Sequence, residues 1–312
     1  MATKLAVFYR SLSQLHGAGV GWPQAVATAL GRRDEAADAR DAFGRAIVAV
    51  REGKPLSDAL ADAIPAVDRA GIRAAEVSGR MEELLADLAR RHEDLDRRRL
   101  AESRALAYPI FVAHLAAFLF GVPDLAAGRT MAALRWALLI LVPTHVFLWA
   151  RRRLRRADAD GRPVPPVLAL LRTKSAVEEA DAKSLAALGW LHEAGVPPLE
   201  AIPLAALAGA GGRASADLCD ATREVEAGRP REGAWSRVPA EIRSALATGE
   251  RTGTLGAACA RTAAALEESA SHRRTVFMER LKPILIVVLG LFVGLRVVLF
   301  YADAYRTAMG RF

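Results

Sequence analysis

Residues 15–20 read Leu-His-Gly-Ala-Gly-Val and residues 191–196 read Leu-His-Glu-Ala-Gly-Val, so five of six positions are identical at an offset of 176. Two further matches follow in the same order: 52–55 (Glu-Gly-Lys-Pro) with 227–230 (Ala-Gly-Arg-Pro), and 76–81 (Glu-Val-Ser-Gly-Arg-Met) with 250–255 (Glu-Arg-Thr-Gly-Thr-Leu). The offset drifts by only one or two residues. Self-similarity at a nearly constant offset indicates a duplicated domain.

Both copies are predicted to be all-α, because apolar residues recur at helical spacing, as in Leu5, Phe8, Leu12 and Leu15, and no strand-like alternation is present. The first helix is expected to end at Gly17 or Gly19, since glycine tolerates the left-handed conformation of a helix C-terminus. Gly195 has the same place in the second copy. Other helices are expected to begin at prolines, which suit a first turn: Pro23, Pro65, Pro197, Pro198 and Pro239. We expect about six short helices per copy, packed antiparallel.

The composition excludes several classes of protein. The chain has 312 residues, a net charge of +8 and 52% hydrophobic residues, which is too apolar for a disordered protein and long enough for two modest domains. Its two cysteines, Cys219 and Cys259, cannot build a disulfide framework and have no metal-ligand spacing. The N-terminus is not typical of a cleaved signal peptide. We expect no cofactor and no metal.

Three apolar segments are predicted to span a membrane: 105–123, 131–150 and 283–301. The second reaches this length if Arg135 extends toward the headgroups. The first two would form a hairpin over 105–150, and the third would be a single helix over 283–302. Basic residues cluster before the first span, after the second and before the third.

Arginines beside a span are retained on the cytoplasmic side during insertion. The large regions 1–104 and 151–282 are therefore predicted to be two homologous cytoplasmic helical domains, and 303–312 a short tail on the opposite side.

These features together resemble the type II secretion F-domain family. The resemblance is carried by a helix that ends in L-x-x-A-G-V, a Gly-x-Pro turn, and a G-E-x-[ST]-G-x-L segment that opens a long helix into a span. It covers 5–124 and 176–302. Ala75 stands where the family often has glycine, whereas the second copy keeps Gly249-Glu250-Arg251-Thr252-Gly253. The chain is also shorter than usual for two-domain members.

The resemblance implies a multi-pass inner-membrane platform of a bacterial type II secretion system or type IV pilus machine, without catalytic activity. Its implied role is to couple a cytoplasmic motor ATPase to pilin or pseudopilin assembly. Other inner-membrane components are expected partners, and a homo-oligomer fits a central platform. Nucleic acid is not an expected partner, because the arginine runs 97–99 and 151–156 contain no aromatic residue to stack on bases and lie where lipid contact is expected.

The family-motif residues have two interpretations. Glu76 and Glu250 either contact a partner or cap the next helix. The four glycines of the motif are expected to allow a backbone conformation with positive φ and not to bind a ligand. They are Gly19, Gly79, Gly195 and Gly253. The alternative function is a membrane enzyme with a cytoplasmic active site around Glu76 and Glu250, although no nucleophile or metal constellation accompanies them. A transporter would need more than three spans or an oligomer.

Four other polar features invite functional hypotheses. His16 and His192 are repeat-related but lack a second ligand at i+4, so packing is favoured over metal binding. His114, His145 and Arg296 lie in predicted spans, where polar side chains are costly and often functional. Arg296 either contacts a pilin helix or extends to the outer interface. The stretch 209–215 (Gly-Ala-Gly-Gly-Arg-Ala-Ser) is glycine-rich like a phosphate-binding loop but lacks the GKS or GKT ending of that motif.

Overall fold

The computed structural model describes residues 2–31, 37–126, 128, 130–160, 174–227 and 235–309, and within them the secondary structure is twelve α-helices without a strand. The first copy contains α1 (Ala2–Gly17), α2 (Trp22–Gly31), α3 (Ala37–Arg51), α4 (Leu56–Ala59), α5 (Ala66–Ser78) and the start of α6 (Met81–Ala126). Next comes α7 (Thr130–Asp160). The second copy contains α8 (Lys174–Glu193), α9 (Pro198–Ala208), α10 (Arg213–Glu226), α11 (Ala240–Arg251) and the start of α12 (Leu255–Met309). The predicted all-α class is confirmed.

The two copies repeat one order of helices. By the sequence offset, α1 matches α8, α2 matches α9, α3 matches α10, α5 matches α11 and α6 matches α12. The position that corresponds to α4 falls within 230–234, outside the described residues. The prolines lie near helix starts as expected: Pro65 and Pro239 directly precede α5 and α11, and Pro198 is the first residue of α9.

The turn after the first helix is built identically in both copies. The Val20 amide donates to the Leu15 carbonyl at 3.0 Å, and the Val196 amide donates to the Leu191 carbonyl at 3.0 Å. Both bonds span a glycine with positive φ, 78° at Gly19 and 77° at Gly195. This conformation is costly for any residue with a Cβ, which explains why both copies have glycine there.

Each copy has its own apolar core. The first core includes Phe8, Leu12, Phe43, Leu60 and Leu85, and the second includes Leu188, Leu191, Leu218, Leu246 and Cys259. Apolar burial of this kind is the main favourable term in folding.

Helix α5 belongs to both cores. Its Ile72 and Ala75 pack into the core of the first copy, whereas Val67, Ala70 and Ala74 pack into the core of the second. The two copies therefore fold against each other through α5.

The chain divides into two compact units. One consists of 1–98 with 154–271 and contains both copies; the other consists of 99–153 with 272–312. In the second unit, His114 of α6 and His145 of α7 lie edge to face, with ring centroids 5.5 Å apart. The borders of these units fall within α6, α7 and α12.

The three predicted spans lie within α6, α7 and α12. Across the part of the chain that the structure describes, no helix is both long enough and apolar enough to traverse a membrane. The membrane spans are not confirmed.

Candidate functional site

Glu76 lies in the last turns of α5 and binds the start of α4. Its Oε1 accepts a hydrogen bond from the Ser57 backbone N–H at 3.1 Å, and its Oε2 accepts one from the Ser57 hydroxyl at 2.6 Å. Ser57 is the second residue of α4, and Pro55 at the N-cap of α4 gives no side-chain cap. Glu76 therefore supplies the missing cap from another helix.

Capping of the following helix was one of the two interpretations of Glu76 from the sequence, and the hydrogen bonds of Glu76 go instead to an earlier helix, α4. The following helix, α6, already carries two carboxylates in its first turn, Glu82 and Glu83. The one-turn helix α4 is the element whose first amides need an acceptor.

Arg73 connects Glu76 to the second copy. Its guanidinium lies 3.6 Å from the Glu76 carboxylate and donates through Nε and Nη2 to the carboxylate of Glu200 on α9. The hydrogen bond that Arg73 donates to Glu200 raises the pKa of Arg73, and the charges of Glu200, Glu76 and Asp58 add to this effect, while partial burial opposes it. A polar chain thus runs from Ser57 through Glu76 and Arg73 to Glu200.

Close apolar packing accompanies this ionic contact. At Gly71 of α5, an added Cβ would lie 3.5 Å from the Trp190 ring of α8 and 3.3 Å from Leu84. The guanidinium of Arg91 on α6 lies 5.7 Å from the centroid of the same indole ring, within reach of a cation–π interaction. The contact between the copies is therefore both ionic and aromatic.

Glu250, the repeat equivalent of Glu76, has a different environment. The buried Trp235 donates its indole N–H to Glu250 Oε1 at 3.4 Å. In both copies the motif glutamate accepts a hydrogen bond from the segment that precedes its own helix, Ser57 in one and Trp235 in the other. Glu76 is linked through an ion pair to Arg73 and so to Glu200.

The four motif glycines all have positive φ. Gly79 and Gly253, with φ of 73° and 69°, separate α5 from α6 and α11 from α12. A role of these residues or of the motif glutamates in partner binding stays a prediction.

The histidines do not form a metal site within the described residues, where no group of three or more histidine, cysteine or acidic side chains is placed to hold an ion. His16 is half-buried and stacks on Trp22 with ring centroids 4.1 Å apart, whereas His192 is exposed. His114 and His145 each contact the backbone carbonyl four residues earlier through Nδ1 at 2.8 Å. The side chain of Arg296 lies outside the described part of the structure.

The glycine-rich stretch 209–215 is explained by packing. A Cβ on Gly209 would lie 2.0 Å from the carbonyl oxygen of Ala180, so α8 passes too close for any other residue. The N-terminus of α10 is occupied by the buried Asp181, whose Oδ1 accepts from the Ala214 amide at 2.8 Å. Asp181 therefore already provides the hydrogen-bond acceptor that a bound phosphate would offer to the N-terminus of α10.

The buried acidic residues were not predicted from the sequence. Besides Asp181, Asp217 is 2% exposed and accepts from the backbone amides of Arg237 and Val238, which fixes the loop before α11. Asp68 is 1% exposed and contacts Tyr9 and His92. Comparison of the two copies could have identified the buried Asp68, because the equivalent position in the second copy holds the apolar residue Ile242.

A family model described as "Type II secretion system (T2SS), protein F" matches the chain twice, over residues 8–122 and 185–302. The chain belongs to the type II secretion system protein F family. The two matched segments coincide with the two copies, each beginning within α1 or α8 and ending within α6 or α12. No curated protein matched. In this family member, the contact through Arg73 joins one matched segment to the other.

Proposed function

We propose that this protein is the inner-membrane platform of a type II secretion or type IV pilus machine, coupling a cytoplasmic motor ATPase to pilin or pseudopilin assembly. Membership of the type II secretion system protein F family supports this assignment. The observation that carries it is the inclusion of both copies in one compact unit, from which α6 and α12 continue without a break into the predicted spans.

Packing of both copies in one unit supports the proposed topology. Copies that share buried contacts lie in the same compartment, so spans proposed for the chain between them, residues 99–153, have to be even in number. A hairpin over 105–150 meets this requirement, and the arginine clusters favour the cytoplasm for both copies.

Continuous helices give the proposal a physical mechanism. A displacement of either copy by a motor would reach the predicted spans through the helix that extends from it, since α6 and α12 are each a single helix. Lipid-embedded subunits that contact those helices would then be displaced in turn. No enzymatic step is needed, and the contacts of Glu76 with Ser57 and Arg73 account for that residue without catalysis.

Co-purification tests the function. The detergent-solubilised protein should retain a motor ATPase of the same machine and at least one pilin-like or other inner-membrane component. The variant Arg73→Glu, which places a third carboxylate beside Glu76 and Glu200, should retain less ATPase. A wild-type complex that is intact but never contains the ATPase or a membrane component would contradict the proposal.

Cysteine labelling tests the topology. Cys219 in the second copy is exposed, and Gln14→Cys would provide an exposed site in the first. A membrane-impermeant maleimide should label both in inverted vesicles and neither in intact spheroplasts, whereas Ala302→Cys near the tail should show the opposite pattern. Labelling of residues 14 and 219 from opposite sides would rule out the topology.

A further inference from the structure

Three polar side chains meet in the interior of the first copy. The Tyr9 hydroxyl of α1 donates to Asp68 Oδ2 of α5 at 3.0 Å, and His92 Nε2 of α6 lies 2.7 Å from the same oxygen. The residues are 0%, 1% and 5% exposed. The Tyr9 and His92 rings also lie against each other, with centroids 5.4 Å apart. We call these three residues the polar cluster.

The second copy fills the same three positions with apolar side chains. At the offsets of the repeat, Tyr9 corresponds to Leu185, Asp68 to Ile242 and His92 to Leu266. All three are buried in the second core. The fold therefore forms with or without the polar cluster, and the cluster needs an explanation other than folding.

Hydrogen bonds in the polar cluster are directional. The Tyr9 hydroxyl donates to Asp68 Oδ2, and His92 Nε2 lies within hydrogen-bond distance of the same oxygen, so the carboxyl group of Asp68 has a partner on each of two helices. His92 Nδ1 is buried and has no hydrogen-bond partner among the described atoms. A shift of α6 by one residue moves His92 by about 1.5 Å along the helix axis, which removes a donor from a buried carboxylate.

Apolar contacts impose no such penalty. Leu185, Ile242 and Leu266 can slide past one another while they stay buried, because dispersion and hydrophobic contacts are not directional. A buried ionic group is weak evidence for stability, since well-packed apolar residues can replace it without loss, and its best-attested use is to specify register.

We propose that the polar cluster is a register lock: it fixes the axial position of α6 against α1 and α5 within the first copy. The ion pair between Arg10 and Glu93, one residue along each helix, joins the same two helices, α1 and α6. The lock is independent of the proposed function, since it concerns which helix pair resists sliding and not which partner moves it.

The second copy provides the substitutions for the test. In full-length protein, the triple variant Tyr9→Leu/Asp68→Ile/His92→Leu installs the residues of the second copy. We expect a melting temperature equal to or above that of the wild type, with amide hydrogen exchange over residues 84–96 of α6 at least tenfold faster. Exchange over residues 258–270 of α12 should not change. The volume-conserving variant Leu88→Met, at a buried position of α6 near His92, is the matched control and should leave exchange in both helices unaltered.

Other outcomes overturn the proposal. Unchanged exchange in α6 would show that the polar cluster does not set the register. Failure of the triple variant to fold, or a lower melting temperature with faster exchange throughout both copies, would show that the cluster is an ordinary stabilising contact. Asp68→Asn, which keeps the volume and one acceptor, gives a second measurement: local acceleration in α6 supports the lock, and unchanged exchange refutes it.

Discussion

Single residues show how the two copies differ while keeping one geometry. Arg45 and Asp62 form an ion pair in the first copy, with N···O of 3.4 Å. At an offset of 175 the second copy pairs Asp220 with Arg237 at 2.5 Å, so the charges are exchanged between equivalent positions. The two pairs join equivalent segments with opposite polarity, and a chimeric copy that mixed them would place like charges together.

The pair of Asp220 with Arg237 is expected to make the stability of the protein depend on pH. The hydrogen bond and charge of Arg237 lower the pKa of Asp220. A carboxyl whose pKa is depressed in the folded state contributes stability above its unfolded pKa and loses it as the pH falls through the folded value. Arg237→Met should therefore lower the melting temperature at neutral pH, and the difference from wild type should shrink on acidification. The Arg45→Met variant, at the wider and more exposed pair, is the control and should show a smaller difference. A difference that grows in acid would contradict this account.

A glycine at a helix crossing gives a stability prediction. A Cβ on Gly249 would lie 2.7 Å from the Cβ of Ala258, so Gly249→Ala forces α11 and α12 apart. We expect a loss of about 1–3 kcal/mol, as in other overpacked cores, measured by denaturant unfolding. Gly44 lies in α3 with nothing within 4 Å of an added Cβ, so Gly44→Ala should be neutral or stabilise by up to about 1 kcal/mol. Equal effects at the two sites would argue against the close crossing.

Among the elements, α5 is the helix whose sequence has to meet several structural requirements at once. Within thirteen residues it contributes apolar groups to two cores, a buried carboxylate at Asp68, and the side chains of Arg73 and Glu76 that reach α9 and α4. A helix that packs on two sides has little exposed surface at which substitutions are neutral.

The link between α5 and α9 can be tested by exchanging charges. Arg73→Glu should destabilise the protein by roughly 1–3 kcal/mol, because it removes charged hydrogen bonds and adds a like charge. Arg73→Glu/Glu200→Arg should recover only part of this loss, since the new glutamate at position 73 still faces Glu76. Arg80→Glu disrupts an exposed pair with Glu83 and should cost about 0.5 kcal/mol or less. A double variant no more stable than Arg73→Glu would show that the Arg73–Glu200 bond contributes nothing.

Local rules allowed much of this to be predicted from sequence. The glycine turns, the proline positions and the duplicated helices depend on residues that are neighbours in the chain, so the sequence pattern predicts them. The cap made by Glu76 joins residues nineteen positions apart, and helical periodicity does not reveal which helix start an acidic side chain reaches. The division of α5 between two cores was also hidden, because Val67, Ala70, Ile72, Ala74 and Ala75 form one broad apolar face in sequence.

At the scale of the whole molecule, the two copies form one compact unit although more than fifty residues separate them in the chain. The shared helix α5 makes the core of one copy dependent on the presence of the other. Folding of this unit is therefore expected to be cooperative across both copies.

Calorimetry with one cavity in each core tests this cooperativity. Leu85→Ala in the first core and Leu246→Ala in the second remove side chains that are 0% exposed, and each should cost about 2–5 kcal/mol. Both variants should shift the same transition to lower temperature. Two separate transitions, of which each variant moves only one, would show that the copies unfold independently.

The position of α5 also limits how the gene can change. After a duplication, each half is ordinarily free to acquire mutations without regard to its twin. Here a substitution at Val67, Ala70 or Ala74 acts on the core of the second half although it lies in the first, so this helix should drift more slowly than α11, its counterpart. A single copy without the second core would leave Val67, Ala70 and Ala74 uncovered on that face of α5.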